Sequence, residues 1–563
     1  MVRRMNITGK AKQQITEMVL AALGRLVSKG EIAGEALPAF SVEMPANPSN
    51  GDFSCNVALV SAKLLKLPPR KIAELIADEI EMPDLIRKVE IAGPGFINLF
   101  ISAKWYEQAV NAILDKSEDY GKSDFGQGKR VLVEFVSANP TGPMHIGNAR
   151  GGALGDCLAS LMEAAGYKVE REFYVNDAGN QIEKFGMSLD VRYRQELGEE
   201  VEIPEEAYQG EDIVEHARNF VSLHGDKYLK VSQEERKAAL VEYALPLNVQ
   251  ALETDLEKYR ITYNTWFRES ALHDSDAVGR IVEKLVQSGK TFEQDGALWL
   301  KTTDFGDEKD RVLVRSNGVP TYFVPDIAYH YNKLAERNFD IAIDILGADH
   351  HGYIPRMNAA LSALGIDAPL RLKMLIMQMV RLVRAGETVK LSKRSGKAIT
   401  LSTLLDEVPV DAARFFFNLR DADTHLDFDL DLAISETAQN PVYYVQYAHA
   451  RTCNIIKRLA EEENLVLNRD FDFEFTHEAE FALLRKLSTL TEEINEAARS
   501  LEPSRLTRYI TETAQLFHAF YEKCKIKGQE EAVQQPRLAL VTATGIVFRN
   551  ILGIMKVDAP ERM

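Results

Sequence analysis

Val131-Leu132-Val133-Glu134-Phe135-Val136-Ser137-Ala138-Asn139-Pro140-Thr141-Gly142-Pro143-Met144-His145-Ile146-Gly147-Asn148 is the stretch whose reading decides the fold. Its first six residues are β-branched, leucine or aromatic except for Glu134, a composition that predicts a strand. Asn139, Pro140, Gly142 and Pro143 then supply turn chemistry. After His145 the apolar residues Leu154, Leu158, Leu161, Met162 and Ala165 fall on one helical face, and Gly166 is a suitable stop. A second strand is expected over residues 169–175. Strand, glycine-containing turn, helix and strand make the βαβ unit of a doubly wound sheet.

The chain around this unit has 563 residues, too many for one core, so three or four domains are expected. Residues 1–120 read as an N-terminal α+β domain. Its first helix spans 11–29, with Ile15, Val19, Leu20, Leu23 and Val27 near helical spacing. A second spans 69–80 with Pro69 in its first turn, and a strand at 96–101 follows Gly93-Pro94-Gly95. The glycine-rich stretch 121–128 reads as a linker. Residues 121–400 form the α/β domain, with a charge-rich helical insertion at about 180–310. Its sheet is expected to resume at 322–324 and 341–346, and 373–382 is ambiguous between helix and strand. A connecting segment follows at 401–440, then an all-α helix bundle at 441–563. The fold class is α/β: a Rossmann-like doubly wound parallel sheet, an N-terminal α+β domain and a C-terminal bundle.

Hydrophobic residues make up 45% and charged residues 27%, proportions suited to a soluble globular enzyme. No run of about 18 apolar residues occurs, so no membrane association is expected. The amino-terminal residues are basic but carry no apolar secretory core. Cys55, Cys157, Cys453 and Cys524 are scattered, which argues against disulfides and a cysteine zinc site and fits a reducing cytoplasm. The net charge of −17 excludes a protein that coats DNA or RNA indiscriminately, while leaving local basic patches free to bind RNA. An acidic exterior that suppresses non-specific RNA contacts and a merely solvated surface both fit that charge.

A His145-x-Gly147 turn between a strand's carboxyl end and a helix amino terminus offers free N–H groups and a favourable dipole to anions. Gly147 allows a flat base or phosphate close to the backbone. A second motif, Lys390-Leu391-Ser392-Lys393-Arg394, is followed by Ser395-Gly396-Lys397. A basic loop of this kind suits the charge that develops when phosphates depart. Arg384-Ala385-Gly386-Glu387-Thr388 reads as the turn of a hairpin before it.

Together the two motifs resemble the paired signatures of class I aminoacyl-tRNA synthetases. The extended run from Ser137 to Gly147 resembles that of the arginyl-tRNA synthetases, and the likeness covers nearly the whole chain. It implies formation of arginyl-adenylate from arginine and ATP, then transfer of arginine to the 3′ terminal ribose of its tRNA. His145, Gly147, Asn148, Asp349, Lys390, Ser392 and Lys393 would then meet ATP, with His145, Lys390 and Lys393 catalytic. Magnesium would arrive with ATP and not be held tightly by protein. The family's usual fourth residue is a second histidine; Asn148 can donate a hydrogen bond but carries no positive charge.

Gly347-Ala348-Asp349-His350-His351-Gly352-Tyr353 follows the apolar run 341–346. Asp349 at a strand's carboxyl end is placed to accept from a ribose hydroxyl. Adjacent histidines rarely share one ion, and no zinc-like helical spacing accompanies them, so no metal site is expected. The resemblance places this stretch beside ATP and amino acid, with His350 on the arginine side. It also implies that Glu134, Asn139, Tyr322 and Asp326 contact arginine, with Asp326 paired to the guanidinium and Tyr322 shaping the slot. A planar five-donor fork calls for such acceptors. Each has a plainer reading: Asp326 as the N-cap of a helix 327–334, Glu134 in an ion pair on an edge strand, Tyr322 as core.

The resemblance makes the N-terminal domain the reader of the tRNA elbow. Phe96 would stack on an unpaired base and Asn98 would hydrogen-bond it; packing roles compete for both. Asp411-Ala412-Ala413-Arg414 resembles the family's Asp-Ala-Leu-Arg signature at the entry to its anticodon-binding bundle. Tyr443, Arg451 and Met563 fall in segments that match there, and Tyr443 and Tyr444 read equally well as packing residues. The partners implied are arginine, ATP and the tRNA for arginine, with a monomer as the assembly. The competing readings are a catalytically silent tRNA-binding paralogue, to which Asn148 lends support, and another class I synthetase.

Overall fold

The computed structural model describes residues 6–34, 38–45, 47–389 and 399–563. Its centre is a five-stranded sheet in the order Leu372–Met377, Ile341–Gly347, Arg130–Glu134, Lys168–Val175, Thr265–Arg268, with every pairing parallel. The decisive stretch supplies the central strand, Arg130–Glu134, buried over Val131 to Glu134. A strand covered on both faces reads as a near-continuous apolar run, which is why its one glutamate stands out.

The helix that follows, Ile146–Ala164, is buried on almost every side from Ala149 to Leu161. Its four glycines thin it for this position. A Cβ at Gly155 would lie 2.2 Å from the Phe135 ring, so only glycine lets the helix settle against the strand end. The helix stops at Gly166, φ +88°, as expected.

Deep in the same helix sits Asp156, fully buried and ringed by cations. Arg414 Nη2 lies 2.5 Å from it, Lys556 Nζ 2.7 Å and Arg171 Nε 3.1 Å. Arg414 also donates to the carbonyls of Met555 and Tyr259 at 2.8 and 2.9 Å. Asp411, at the other end of the Asp-Ala-Ala-Arg run, accepts from Arg260 at 2.7 Å and from Gln446 at 2.8 Å. The run is thus a junction that fastens the sheet's helix to the bundle and to the carboxyl-terminal tail.

The N-terminal residues build a four-stranded antiparallel sheet in the order Val42–Glu43, Phe53–Cys55, Phe96–Ile101, Ile86–Ala92, backed by helices that include Ile7–Ser28 and Pro69–Glu79. The carboxyl-terminal helices Pro441–Glu463, Glu478–Ser488, Leu490–Ser500, Ser504–Lys523 and Glu531–Ile554 form a bundle. One hydrophobic core runs from the N-terminal helix through the sheet's helix into this bundle. Glu531–Ile554 has the length and apolar composition of a membrane span. Here Leu540, Val541, Val547, Phe548 and Ile551 are fully buried within the bundle instead.

Three segments differ from the sequence reading. Helices Asn180–Glu196, Glu211–His224 and Gln233–Lys258 hold a small core of their own, but Thr265–Arg268 inside the supposed insertion is an edge strand of the main sheet. A further three-stranded antiparallel sheet, Thr291–Gln294, Ala297–Leu300 and Arg311–Val314, lies in the same interval or just past it. Residues 322–324 begin a helix, Phe323–Tyr331, and not a strand. Three apolar residues carry no period, and Phe323 and Val324 are apolar because the helix buries them. The ambiguous 373–382 spans parts of two strands, Leu372–Met377 and Val380–Arg384; the second pairs in a hairpin with Glu387–Thr388.

Gly155→Ala should destabilise the protein by about 1–3 kcal/mol through overpacking against Phe135. Gly24→Ala, exposed in the first helix with nothing within 4 Å of the new Cβ, should be neutral or stabilising. Urea midpoints of the two variants check the contrast.

Candidate functional site

The carboxyl ends of the parallel strands open into a cleft, the position at which open α/β sheets take ligands. The chain leaves the central strand through two strained residues, Val136 at φ +70° and Ser137 at φ +40°. Ser137 Oγ donates to Glu134 at 2.9 Å and accepts from the Tyr174 N–H at 3.1 Å, which holds the bend. Asn139 and His145 are exposed on the rim, and Asn139, His145, Asn148, Thr400, Tyr208 and Asp212 are among the residues lining a cleft of about 520 Å³. The insertion braces this loop from outside: Asn248 Nδ2 donates to the Pro140 carbonyl at 3.0 Å, and His216 Nε2 lies 2.7 Å from Asn248 Oδ1. Nothing in the sequence marked Asn248 or His216.

His145 is the N-cap of the buried helix, and Gly147 is exposed in its first turn. Asn148 turns back on the cap, its Oδ1 accepting from the His145 N–H at 3.2 Å. The fourth residue of the motif therefore completes a capping box. Lys390, Ser392 and Lys393 lie outside the described residues, but both flanks of their loop are described. Val389 N donates to Leu382 O at 2.9 Å on one side. On the other, Ile146 N donates to Ile399 O at 3.2 Å and Leu401 N to Met144 O at 2.9 Å. Residues 399–401 thus pair with 144–146, which brings the described flank of the second motif against the first.

Behind the cleft, the parallel register aligns three carboxylates. Glu134 stands opposite Asp344 on one neighbouring strand and opposite Glu172 on the other. Lys333, fully buried, inserts its ammonium between the first two, 2.5 Å from Glu134 and 2.8 Å from Asp344, over the face of Tyr329. The Tyr329 hydroxyl donates to Glu172 at 2.7 Å and approaches Glu134 at 3.0 Å, and Arg337 pairs with Glu172 at 2.5 Å. His330 Nε2 lies 2.8 Å from Asp344 Oδ2. Lys333 reaches this place because the helix widens into a π turn over Asn332–Glu336. Burial would lower the Lys333 ammonium, but Asp344 and Glu134 reverse this and hold it above the usual lysine range. Burial raises Asp344, but Lys333 and His330 outweigh it and hold the carboxyl well below the usual range. Glu134 is therefore in an ion pair, on the central strand and not an edge.

Asp326 is placed differently. The N-cap of its helix is Tyr322, and Asp326 lies in the first turn, which sets aside the capping role. Burial pushes its carboxyl up to about 6, against His330 and the Tyr353 hydroxyl, with Glu269 and Glu134 adding repulsion. Glu269, also raised by burial, is a neighbour the sequence did not reveal. Neither carboxylate has a lysine or arginine within 4 Å among the described residues. Tyr322 is 70% exposed one turn earlier, so it is not core. Asp349 and His350 are exposed on a short 3-10 turn after Ile341–Gly347, with the His350 ring edge-on to Tyr353. Among the described residues no cluster of three His, Cys, Asp or Glu has the form of a metal site.

Of the distal residues, Phe96 is 39% exposed at a strand's start, so it is not a core residue. Asn98 is buried, and its Oδ1 accepts from Ser54 Oγ at 2.8 Å. In this alternating strand Asn98 shares the face of Phe96, opposite the fully buried Ile97 and Leu99, and stands across from Ser54 and Glu90 on the neighbouring strands. Arg451 lies over Tyr521 at 4.6 Å and shares a groove with Met563, Tyr447 and Arg458. Tyr443 is half-buried outside that groove.

Three family models match the chain: the arginyl tRNA synthetase N terminal domain over residues 12–101, the class I (R) tRNA synthetase catalytic domain over 109–457, and the DALR anticodon binding domain over 445–563. An arginine–tRNA ligase of Caldanaerobacter subterraneus subsp. tengcongensis is 51% identical over 99% of this chain and 100% of its own length. One of Acetivibrio thermocellus is 48% identical over the same shares. The fold is that of the Thermus thermophilus arginyl-tRNA synthetase, with a TM-score of 0.75 at 21% identity over 98% of this chain and 100% of that one.

Asn148→Ala should cost about 1 kcal/mol by opening the capping box, and Asn148→His, which keeps an acceptor, should cost less. Thermal unfolding of both variants measures the difference.

Proposed function

The chain belongs to the arginyl-tRNA synthetases of class I, and from that premise we propose how its residues divide the work. The enzyme activates arginine with ATP to arginyl-adenylate and transfers the arginyl group to the terminal ribose of its tRNA. The match along the full length to arginine–tRNA ligases lends nothing to a silent paralogue or a different class I synthetase.

In the activation step an arginine carboxylate oxygen attacks the α-phosphorus of ATP, and pyrophosphate leaves. His145, at a helix amino terminus, donates to the α-phosphate as charge builds there; Gly147 admits the nucleotide, and Asn148 holds the turn. Lys390, Ser392 and Lys393 contact the departing pyrophosphate. The pairing of 399–401 with 144–146 supports this, since it tethers their loop at His145. Asp349 accepts from the ribose. Magnesium arriving with ATP would supply charge neutralisation at the phosphates. Enzyme groups thus position and stabilise charge, and none forms a covalent bond.

Asp326 carries the arginine assignment: a carboxyl raised to about 6 by burial against the pull of His330, with no lysine or arginine within 4 Å among the described residues. A guanidinium supplies the missing charge in a planar, two-pronged form. Glu269 stands close enough to share it, Tyr322 covers the slot, and Asn139 and His350 meet the α-amino end. Glu134 acts through its place in the wall. Lysine would leave acceptors unpaired in a site shaped for a fork. Phe96 stacks on an elbow base, and Asn98, on the same strand face, hydrogen-bonds it. Arg451, Met563 and the adjacent Tyr443 face the anticodon. The assembly proposed is a monomer in the cytoplasm.

Because Asp326 must be ionised to meet a guanidinium, kcat/KM for arginine should fall about tenfold per pH unit below about pH 6. Asp326→Asn should remove that limb and raise the arginine KM at least about 100-fold with the ATP KM unchanged. Arginine-dependent ATP–pyrophosphate exchange, with and without tRNA and with lysine and cysteine as controls, is the assay; an unchanged arginine KM would overturn the assignment. Phe96→Ala should raise the KM for tRNA about tenfold through lost stacking and leave ATP untouched, as read by aminoacylation kinetics.

A further inference from the structure

We propose that Lys333 is a positioning residue of the arginine pocket: its ammonium holds the inner carboxylates Glu134 and Asp344 from behind, leaving Asp326 and Glu269 as the pair that answers the substrate. This rests on the reading of the Asp326 pocket as the arginine site.

Asp344, Glu134 and Glu172 occupy adjacent positions on three neighbouring parallel strands, so their side chains leave the same face of the sheet at the strand spacing of about 4.8 Å. Three like charges in a row beside a binding cleft would repel one another and attract any cation to the wrong depth. Lys333 sits at 2.5 and 2.8 Å from two of them and Arg337 at 2.5 Å from the third. Lys333 is fully buried, so it does not touch substrate and acts through its partners.

A lysine on a regular helical turn after Tyr331 would sit at a different angle; the π turn over Asn332–Glu336 rotates Lys333 inward. The same helix carries Asp326 in its first turn, and His330 ties its backbone to the network through Nδ1 to the Asp326 carbonyl and Nε2 to Asp344, both 2.8 Å. The ammonium therefore fixes the depth of the pocket floor and the tilt of the helix that presents Asp326.

The test is steady-state pyrophosphate exchange on the full-length enzyme. Lys333→Met should raise the arginine KM about tenfold or more, the effect of losing one charge partner from a buried pair, with the ATP KM within about twofold. Lys333→Ala should behave alike, and n-propylammonium, which replaces the deleted atoms, should restore kcat/KM for arginine where n-propanol does not. Equal rescue by both would show a packing role and overturn the proposal, as would an unchanged arginine KM or equal losses for arginine and ATP. If the Lys333 variants do not fold, Asp344→Asn decides: the proposal requires a raised arginine KM with ATP unaffected, and no change overturns it. Asp326→Asn in the same assay separates the two readings. If it leaves arginine KM unchanged, the site itself is misassigned; if it raises KM and the Lys333 and Asp344 variants do not, only the role of Lys333 fails.

Discussion

Three carboxylates side by side on the central strands are the constraint around which the rest of the site is built. At about 5 Å and an effective dielectric of about 20, each neighbouring pair of charges repels by about 3 kcal/mol. A sheet cannot move them apart, because register fixes their spacing. The compensation has to come from outside the sheet, and Lys333 and Arg337 bring it from one helical segment. That requirement orients the helix Phe323–Tyr331, whose first turn carries Asp326. The acid without a lysine or arginine partner among the described residues and the compensated acids on the strands are two consequences of one arrangement.

A second buried charge performs the corresponding task for the whole molecule. Asp156 lies in the helix capped by His145 and is answered by Arg171, Arg414 and Lys556, which come from the sheet, the connecting segment and the tail. Removing one partner from such a cluster leaves an uncompensated charge, so its value lies in specifying one geometry. The tail so fastened continues past Asp558, held by Arg260, and Pro560, held by His449, to Met563 in the groove with Arg451. The turn at His145 and the groove that holds Arg451 and Met563 are anchored to the same few ionic contacts.

Much of this was legible in the residues, and the reasons differ from place to place. His145 and Gly147 were legible because a turn between strand and helix leaves a composition that survives without context. The Asp-Ala-Ala-Arg run was legible as a likeness, but its physical meaning as an ionic junction needed the fold. Thr265–Arg268 was hidden because four half-buried residues in a charged, helical interval carry no period of their own. Residues 322–324 looked like a strand because apolar residues at a helix entry and in a short strand are the same letters. Glu269, Glu172 and Asp344 were acids among many, and Lys333 resembled any surface helix lysine.

By itself the sequence determined the order of the domains, the strand–turn–helix that opens the parallel sheet and the chemistry of the two nucleotide motifs, since local composition and periodicity encode these directly. Only the tertiary structure decided which carboxylates are paired with a lysine or arginine and which, among the described residues, are not. That distinction depends on strand register, on one π turn and on burial, all of which bring together residues far apart in the chain. Glu134 and Asp326 are both acids in apolar stretches; one has a buried ammonium at 2.5 Å and the other has no lysine or arginine within 4 Å among the described residues, and no reading of either segment alone could separate them.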